Sequence, residues 1–330
     1  MRKHLVIVCS LFFSILLNSI PAHAAGYKPS NIYIVKQGDS LPRIATKYGT
    51  NVNVLKVTNG LQSNTLLIGQ KLWVPTTYEV VAGDTLRGIA SAFHSSVNRI
   101  KVNNKLSSNQ LYIGQVLKIP PKKMTMQGQH ILMTREEFRV WLFNAQINRN
   151  VTLIQQHHTY LPSYKQFNGS NHFQMLMGME NFHKRRMGWS NIAQNITTFP
   201  DGKIAVSRPF NIAPEGTIGP KVNATGIAIE NVGNFDKGHD VMTAEQKETI
   251  VYITAVLSLK FGLTPSIDSI TYHHWWNLRT KERVLDRGPA YNVKTCPGKG
   301  FFGGNSTTSA INHFYPLVSR KMQEISASTH

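Results

Sequence analysis

The chain has 330 residues, with 36 Lys and Arg against 17 Asp and Glu and a formal net charge of +19. That length suggests about two domains. The basic excess favours polyanionic surroundings, whether nucleic acid, anionic lipid or the teichoic acids and carboxylates of a cell wall. No Lys/Arg block longer than Lys184-Arg185-Arg186 gathers this charge into a binding tail, and two cysteines cannot make a disulfide framework.

Arg2, Lys3 and His4 precede an apolar run over 5–20, and Ala22-His23-Ala24 fits a small-residue cleavage site. A signal peptide over 1–24 is expected, since the run is short for a membrane span of about 20 residues. An uncleaved anchor is the alternative. Cys9 is not preceded by a small residue, which argues against lipoprotein processing. Cleavage would remove Arg2 and Lys3 and leave a net charge of +17. Export makes nucleic acid the weakest partner; a monomer without stable membrane insertion is expected. Cys296 would then be the one remaining thiol, unable to pair within the chain.

An internal repeat follows. YIVKQGDSLPRIATKYGTN begins at Tyr33 and YEVVAGDTLRGIASAFHSS at Tyr78, and the offset of 45 residues holds from Gly38/Gly83 through Leu41/Leu86 to Pro75/Pro120. So dense a match without gaps is a duplication. Each copy reads as strand, helix, helix, strand. Tyr33 and Val35 alternate, Gly38-Asp39-Ser40 turns and caps, Leu41, Ile44, Ala45 and Tyr48 keep helical spacing, and Leu72 and Val74 re-enter a strand. At about 43 residues, each copy lies near the lower limit for an independent core.

Both copies, 33–75 and 78–120, resemble the LysM domain through Y-x-V-x-x-G-D-[ST]-L-x-x-I-A and N-x-L…IGQ-x-L-x-[IV]-P. The resemblance implies a small βααβ fold that binds N-acetylglucosamine-containing glycan in a shallow groove between two loops. Those loops correspond to Gly38, Asp39, Ser40, Leu67, Ile68 and Gly69 in the first copy. In the second they are Gly83, Asp84, Thr85, Tyr112, Ile113 and Gly114. Gly-Asp-Ser/Thr is also simply a helix start, and Ile68 and Ile113 would equally suit a core. Two weak sites gain avidity on a repeating polymer.

Residues 121–130 lack periodicity and read as a linker, followed by a second domain over 131–325. Thr134-Arg135-Glu136-Glu137 is a capping-box signature opening a helix with Phe138, Trp141 and Leu142 on one face. Residues 151–156 read as a strand delivering His157, and 171–186 as a helix. Pro200-Asp201-Gly202 sits between two strands as a hairpin turn. Residues 225–230 form a buried strand ending at Glu230, Thr243 caps a helix to about 260, and 269–272 is a strand ending at His273. A last helix covers about 310–325. Strands and helices mix, so the class is α/β or α+β.

Two His-His pairs, His157-His158 and His273-His274, together with Cys296 and Glu230, lie at strand ends or on the loop beyond. Each pair alone reads more simply as ordinary packed or surface histidine, and Cys296 as a small buried hydrophobe. Together, two imidazoles and a thiolate make a three-ligand zinc set whose fourth position stays open for a catalytic water.

HHT at 157–159, GWSNI at 188–192, FPDGKIAVSRP at 199–209, GIAIENVGNFD at 226–236, HHWW at 273–276 and KTCPG at 294–298 resemble the zinc-dependent N-acetylmuramoyl-L-alanine amidases. That superfamily also includes peptidoglycan recognition proteins. The resemblance implies an α/β domain with a mixed sheet flanked by helices, and Zn2+ held by His157, His273 and Cys296. It implies Glu230 as the acid exchanging a proton with water and Lys294 as the stabiliser of the developing oxyanion. The bond cut would be the amide between N-acetylmuramic acid and L-alanine of peptidoglycan. The reverse choice within each histidine pair stays open.

Two departures stand out. Ile192-Ala193-Gln194-Asn195-Ile196 replaces a stretch that carries a catalytic tyrosine in many relatives, and 277–293 is long enough to cover the cleft. The competing functions are a non-hydrolytic peptidoglycan-binding protein and a glycan-cutting hydrolase, which would need paired carboxylates.

Overall fold

The computed structural model describes residues 31–328; the expected signal peptide lies outside them. In the first repeat, strand β1 (Ile32–Ile34) pairs antiparallel with β2 (Lys71–Trp73) around helices α1 (Leu41–Lys47) and α2 (Val52–Asn59). In the second, β3 (Thr76–Glu79) pairs with β4 (Val116–Ile119) around α3 (Leu86–Ala92) and α4 (Val97–Asn104). Both are βααβ modules. Ser40 and Thr85 cap the first helices by accepting from the backbone N–H of Arg43 and Gly88. Tyr33 donates to Asp39 at 2.7 Å, and Tyr78 to Asp84 at the same distance, so the turn is locked identically in each copy. Leu41, Ile44 and Leu72 fill one core, Leu86, Ile89 and Leu117 the other.

The larger body is built on a seven-stranded sheet ordered β11-β7-β10-β8-β9-β6-β5. Its strands are β5 (Thr125–Gln127), β6 (His130–Met133), β7 (Leu153–His158), β8 (Ile196–Thr198), β9 (Ile204–Val206), β10 (Gly226–Asn231) and β11 (Ile270–Tyr272). Strands β11, β7, β10 and β8 run parallel, while β9, β6 and β5 continue the sheet antiparallel. The sheet is therefore mixed. The stretch expected to be a linker differs from that reading: it contributes β5 to the sheet edge. Three residues are too few for an alternation to stand out.

Helices α5 (Arg135–Asn144), α6 (His172–Arg185), α7 (Pro220–Asn223), α8 (Ala244–Phe261), α9 (Thr307–Ser309) and α10 (Tyr315–Ala327) complete the body. The Thr134–Glu137 capping box is present at α5, and Thr243 caps α8. Strand alternation divides the core between the two faces. Ile131, Ile154, Ile196, Ile227 and Ile229 pack in one cluster with residues of α5, α8 and α10, whereas Ala205 and Val232 pack with Met175, Leu176 and Met179 of α6. The last helix is interrupted at its start by a wide turn over Ala310–Phe314. No helix among the described residues is long and apolar enough to cross a membrane.

Candidate metal centre

In the parallel pair β7–β10, Glu230 is the register partner of His157. Ile154 and Ile229 face the α8 side of the sheet, and Gln156 donates to Thr254 of α8. By alternation Gln155, His157 and Glu230 face the other way. β11 lies on the other flank of β7 and hands over to a 3-10 turn that begins at His273. Three neighbouring strands thus carry an acid and two imidazoles to one end of the sheet.

Cys296 arrives on a loop that is held from both sides. His274 N–H donates to the Cys296 carbonyl at 2.7 Å, and His274 Nδ1 bonds the Lys294 carbonyl at 2.6 Å. Thr295 donates to Asp236 at 2.9 Å, and Gly300 N–H to the Phe235 carbonyl at 2.7 Å. Gly298 adopts φ +102°, and a Cβ there would meet the Phe235 carbonyl carbon at 2.5 Å. Only glycine lets the loop close so tightly.

The result is a compact N,N,S cluster. His157 Nδ1 lies 3.2 Å from His273 Nδ1 and 3.7 Å from Cys296 Sγ, and one ligand atom from each residue lies within 4.8 Å of the others. A tetrahedral zinc with bonds of about 2.0–2.3 Å separates its ligands by about 3.3–3.8 Å, so the residues present fit that ion. His158 and His274 are turned elsewhere: His158 Nδ1 accepts from Phe235 N–H at 3.1 Å, and His274 bonds Lys294. The first histidine of each pair belongs to the cluster.

Electrostatics agree with a cation-ready site. Burial pushes His157 down to about 3, and the Lys294 and His158 charges add to it. Burial likewise holds His273 well below its usual value. Both imidazoles are therefore neutral, as ligation requires. Burial, followed by the Glu230 charge, pushes the Cys296 thiol well up; a bound cation reverses that logic by favouring the thiolate. Burial raises Glu230 to about 8, against the opposing pull of Lys294. Glu230 Oε1 lies 4.0 Å from His157 Nδ1, and Oε2 is buried with no hydrogen-bond partner. Lys294 itself is exposed, yet its charge reaches His157, Glu230, His273 and Cys296.

Behind the cluster stands a polar set that sequence reasoning missed. Gln155 Oε1 lies 3.3 Å from His157 Nε2, and Thr217 donates to the same oxygen at 2.9 Å. Gln155 Nε2 donates to Asn223 Oδ1 at 3.1 Å. A hydrogen bond to Nε2 leaves Nδ1 free to face His273 and Cys296. Two adjacent glutamines directly before the His-His pair of a buried strand were the available signal.

The remaining expected residues fall into separate groups. Gly38, Gly69, Gly83 and Gly114 all have positive φ near 80°, at turns where nothing would meet a Cβ. Asp39 and Asp84 are tied to Tyr33 and Tyr78, and Ser40 and Thr85 are helix caps. Leu67 is half-buried, whereas Ile68, Tyr112 and Ile113 are exposed by 64–75%, which rules out the core reading for both isoleucines. In place of the missing tyrosine segment, Gln194 is fully buried and donates to Thr197. The 277–293 stretch folds back through a Trp276–Arg283 bridge, and Arg283 pairs with Asp268 at 2.7 Å. A Ser207–His130–Glu180 relay also exists, at 2.8 and 3.0 Å, but Ser207 is wholly buried and offers substrate no approach.

The chain carries two LysM domains, at 33–75 and 78–120, followed by an N-acetylmuramoyl-L-alanine amidase domain matched over 147–299. Over 45 residues it is 53% identical to the probable peptidoglycan endopeptidase LytE of Bacillus subtilis (strain 168), a stretch that is 14% of each protein. Among solved structures it is similar to the N-acetylmuramoyl-L-alanine amidase LysC from Clostridium intestinale URNW, at 25% identity over 47% of this chain and 80% of that one, with a TM-score of 0.34. Drosophila PGRP-LB is matched at 18% identity over 51% and 84%, with a TM-score of 0.38.

Proposed function

We propose that this chain is a secreted, wall-associated zinc amidase that cuts the amide between N-acetylmuramic acid and L-alanine, with its two LysM modules on the glycan. The observation that carries the reading is the convergence of His157, His273 and Cys296 beside Glu230, a half-buried acid with one buried, unpartnered oxygen. His157, His273 and Cys296 would hold the ion. Zinc bound there would supply Lewis acidity to the scissile carbonyl and to the attacking water.

The chain's own groups do the rest. Glu230 takes a proton from the attacking water and returns it to the leaving amine. Lys294 opposes the negative charge that develops on the carbonyl oxygen. Gln155 keeps the His157 ring turned. The loop over 294–298 is fixed in advance, so little reorganisation is needed at the moment of reaction.

Retention of all three donors together with Glu230 supports an enzyme over a binding-only protein. Export rests on the N-terminal segment, and wall association on the LysM pair. Metal analysis of the purified chain together with its Cys296→Ala and His157→Ala variants tests the reading. One zinc per chain with muramoyl-amide cleavage is expected, and both should be lost in the variants while wall binding persists.

A further inference from the structure

Where the first LysM module meets the catalytic domain, a recess of about 140 Å³ opens between Gln62 and Trp73 on one side and Trp141, Asn144 and Phe210 on the other. A cavity of this order accommodates a single six-membered ring. It lies far from the metal cluster along the strands. Phe210 follows β9, which runs antiparallel to β8 and so emerges at the N-terminal ends of the parallel strands, whereas the cluster sits at their C-terminal ends.

The walls are fixed relative to each other. Gln62 Nε2 donates to the carbonyls of Gln129 and Ser207, both at 2.8 Å, and Met124 N–H donates to the Val57 carbonyl at 3.0 Å. Gly60, at φ +59°, comes so near α5 that a Cβ would meet Trp141 Nε1 at 2.9 Å. The recess is therefore a built feature of the junction.

Its chemistry is selective. The Nε1–H of Trp141, a side chain only 9% exposed, donates to no acceptor among the described residues. The same holds for the Trp73 Nε1–H and the Asn144 carboxamide. An N–H without a protein acceptor is open to a ligand oxygen. Lys71 is the only charged residue in the lining, so polar amides and aromatic rings make up most of the recess. Two indoles and free amide groups suit a neutral ring with one apolar face and hydroxyl and acetamido groups at its edge.

We infer that this recess binds one N-acetylhexosamine unit, gripped between the first LysM module and the catalytic domain. Leu67 lines the recess and also belongs to the loop expected to form that module's glycan groove. A strand lying in the groove would reach the recess without leaving that loop. The identity of the sugar rests on the wall-directed reading above; the recess and its unpaired donors do not.

The test uses the full chain carrying 5-fluorotryptophan at its five tryptophans, titrated with N,N′-diacetylchitobiose and followed by fluorine NMR. The Trp141 resonance is diagnostic because that residue belongs to the catalytic domain. It should shift saturably, and Asn144→Leu should weaken the binding read there by about three- to tenfold, the worth of one hydrogen bond. Should Asn144→Leu not fold, Trp141→Phe keeps an aromatic side chain while removing the N–H and part of the indole face, with binding then read at Trp73. A Trp141 resonance that stays fixed at saturating sugar, or unchanged affinity in the variant, overturns the proposal. Cleavage of muramoyl amides is assayed separately. Its absence alongside a responding Trp141 would overturn the amidase reading and leave the recess standing.

Discussion

Glu230 stands directly across from His157 in the register of two parallel strands, and its Oε1 lies 4.0 Å from the His157 Nδ1 that faces Cys296. Backbone pairing, not loop folding, sets that distance. Glu230→Gln should therefore keep the fold and bind zinc about as tightly as wild type, while kcat falls by about 10²–10⁴-fold. Zinc titration beside steady-state kinetics on a soluble muropeptide measures both. Equal loss of metal and activity would make Glu230 a ligand support instead of a proton carrier.

Gln155 acts on zinc only through His157. Replacing it with Leu removes the acceptor at His157 Nε2 and leaves Thr217 and Asn223 with one partner fewer. Zinc affinity should drop by about 10–100-fold. The absorption bands of the cobalt-substituted variant should change with it, a readout that a general loss of stability would not move. Unaltered bands would remove Gln155 from the positioning set.

The exposed pair Tyr112 and Ile113 belongs to the second LysM module, away from the first module's contacts with Gln129 and Ser207. Replacing Ile113 by Glu should lower binding to intact wall several-fold and slow its digestion, while cleavage of soluble muropeptides stays unchanged. Sedimentation with purified wall reads the first effect. Equal losses on both substrates would contradict an anchoring role.

Acid should loosen the start of α5 through Glu137. Burial works to raise this carboxyl, but hydrogen bonds from Lys122 and from Thr134 outweigh it and hold the group below its ordinary value. A depressed folded pKa contributes stability that is present above the unfolded value and lost as pH falls through the folded one. The Tm of wild type should thus fall between about pH 5 and about pH 3 more steeply than that of Glu137→Gln. Parallel curves would show that the Glu137 pairing adds nothing.

Much of this was legible in the sequence because the signals are local. The duplicated Gly-Asp-Ser/Thr turn, the Thr134–Glu137 box, the Thr243 cap and the histidine at the end of a buried strand each declare themselves within a few residues. What stayed hidden depends on distant partners. β5 is too short to show alternation, the wide turn over Ala310–Phe314 displaced the start of the last helix to Tyr315, and the approach of Gly60 to Trp141 joins segments 81 residues apart. The role of Gln155 shows only once His157, Thr217 and Asn223 are placed around it.

The most direct measurement is mass spectrometry of intact peptidoglycan digested by the zinc-loaded chain. Stem peptides with new L-alanine amino termini, released from glycan that keeps its muramic lactyl carboxylates, are the expected products. Reducing sugars without new amino termini, or wall that is bound and left uncut, would contradict the amidase assignment.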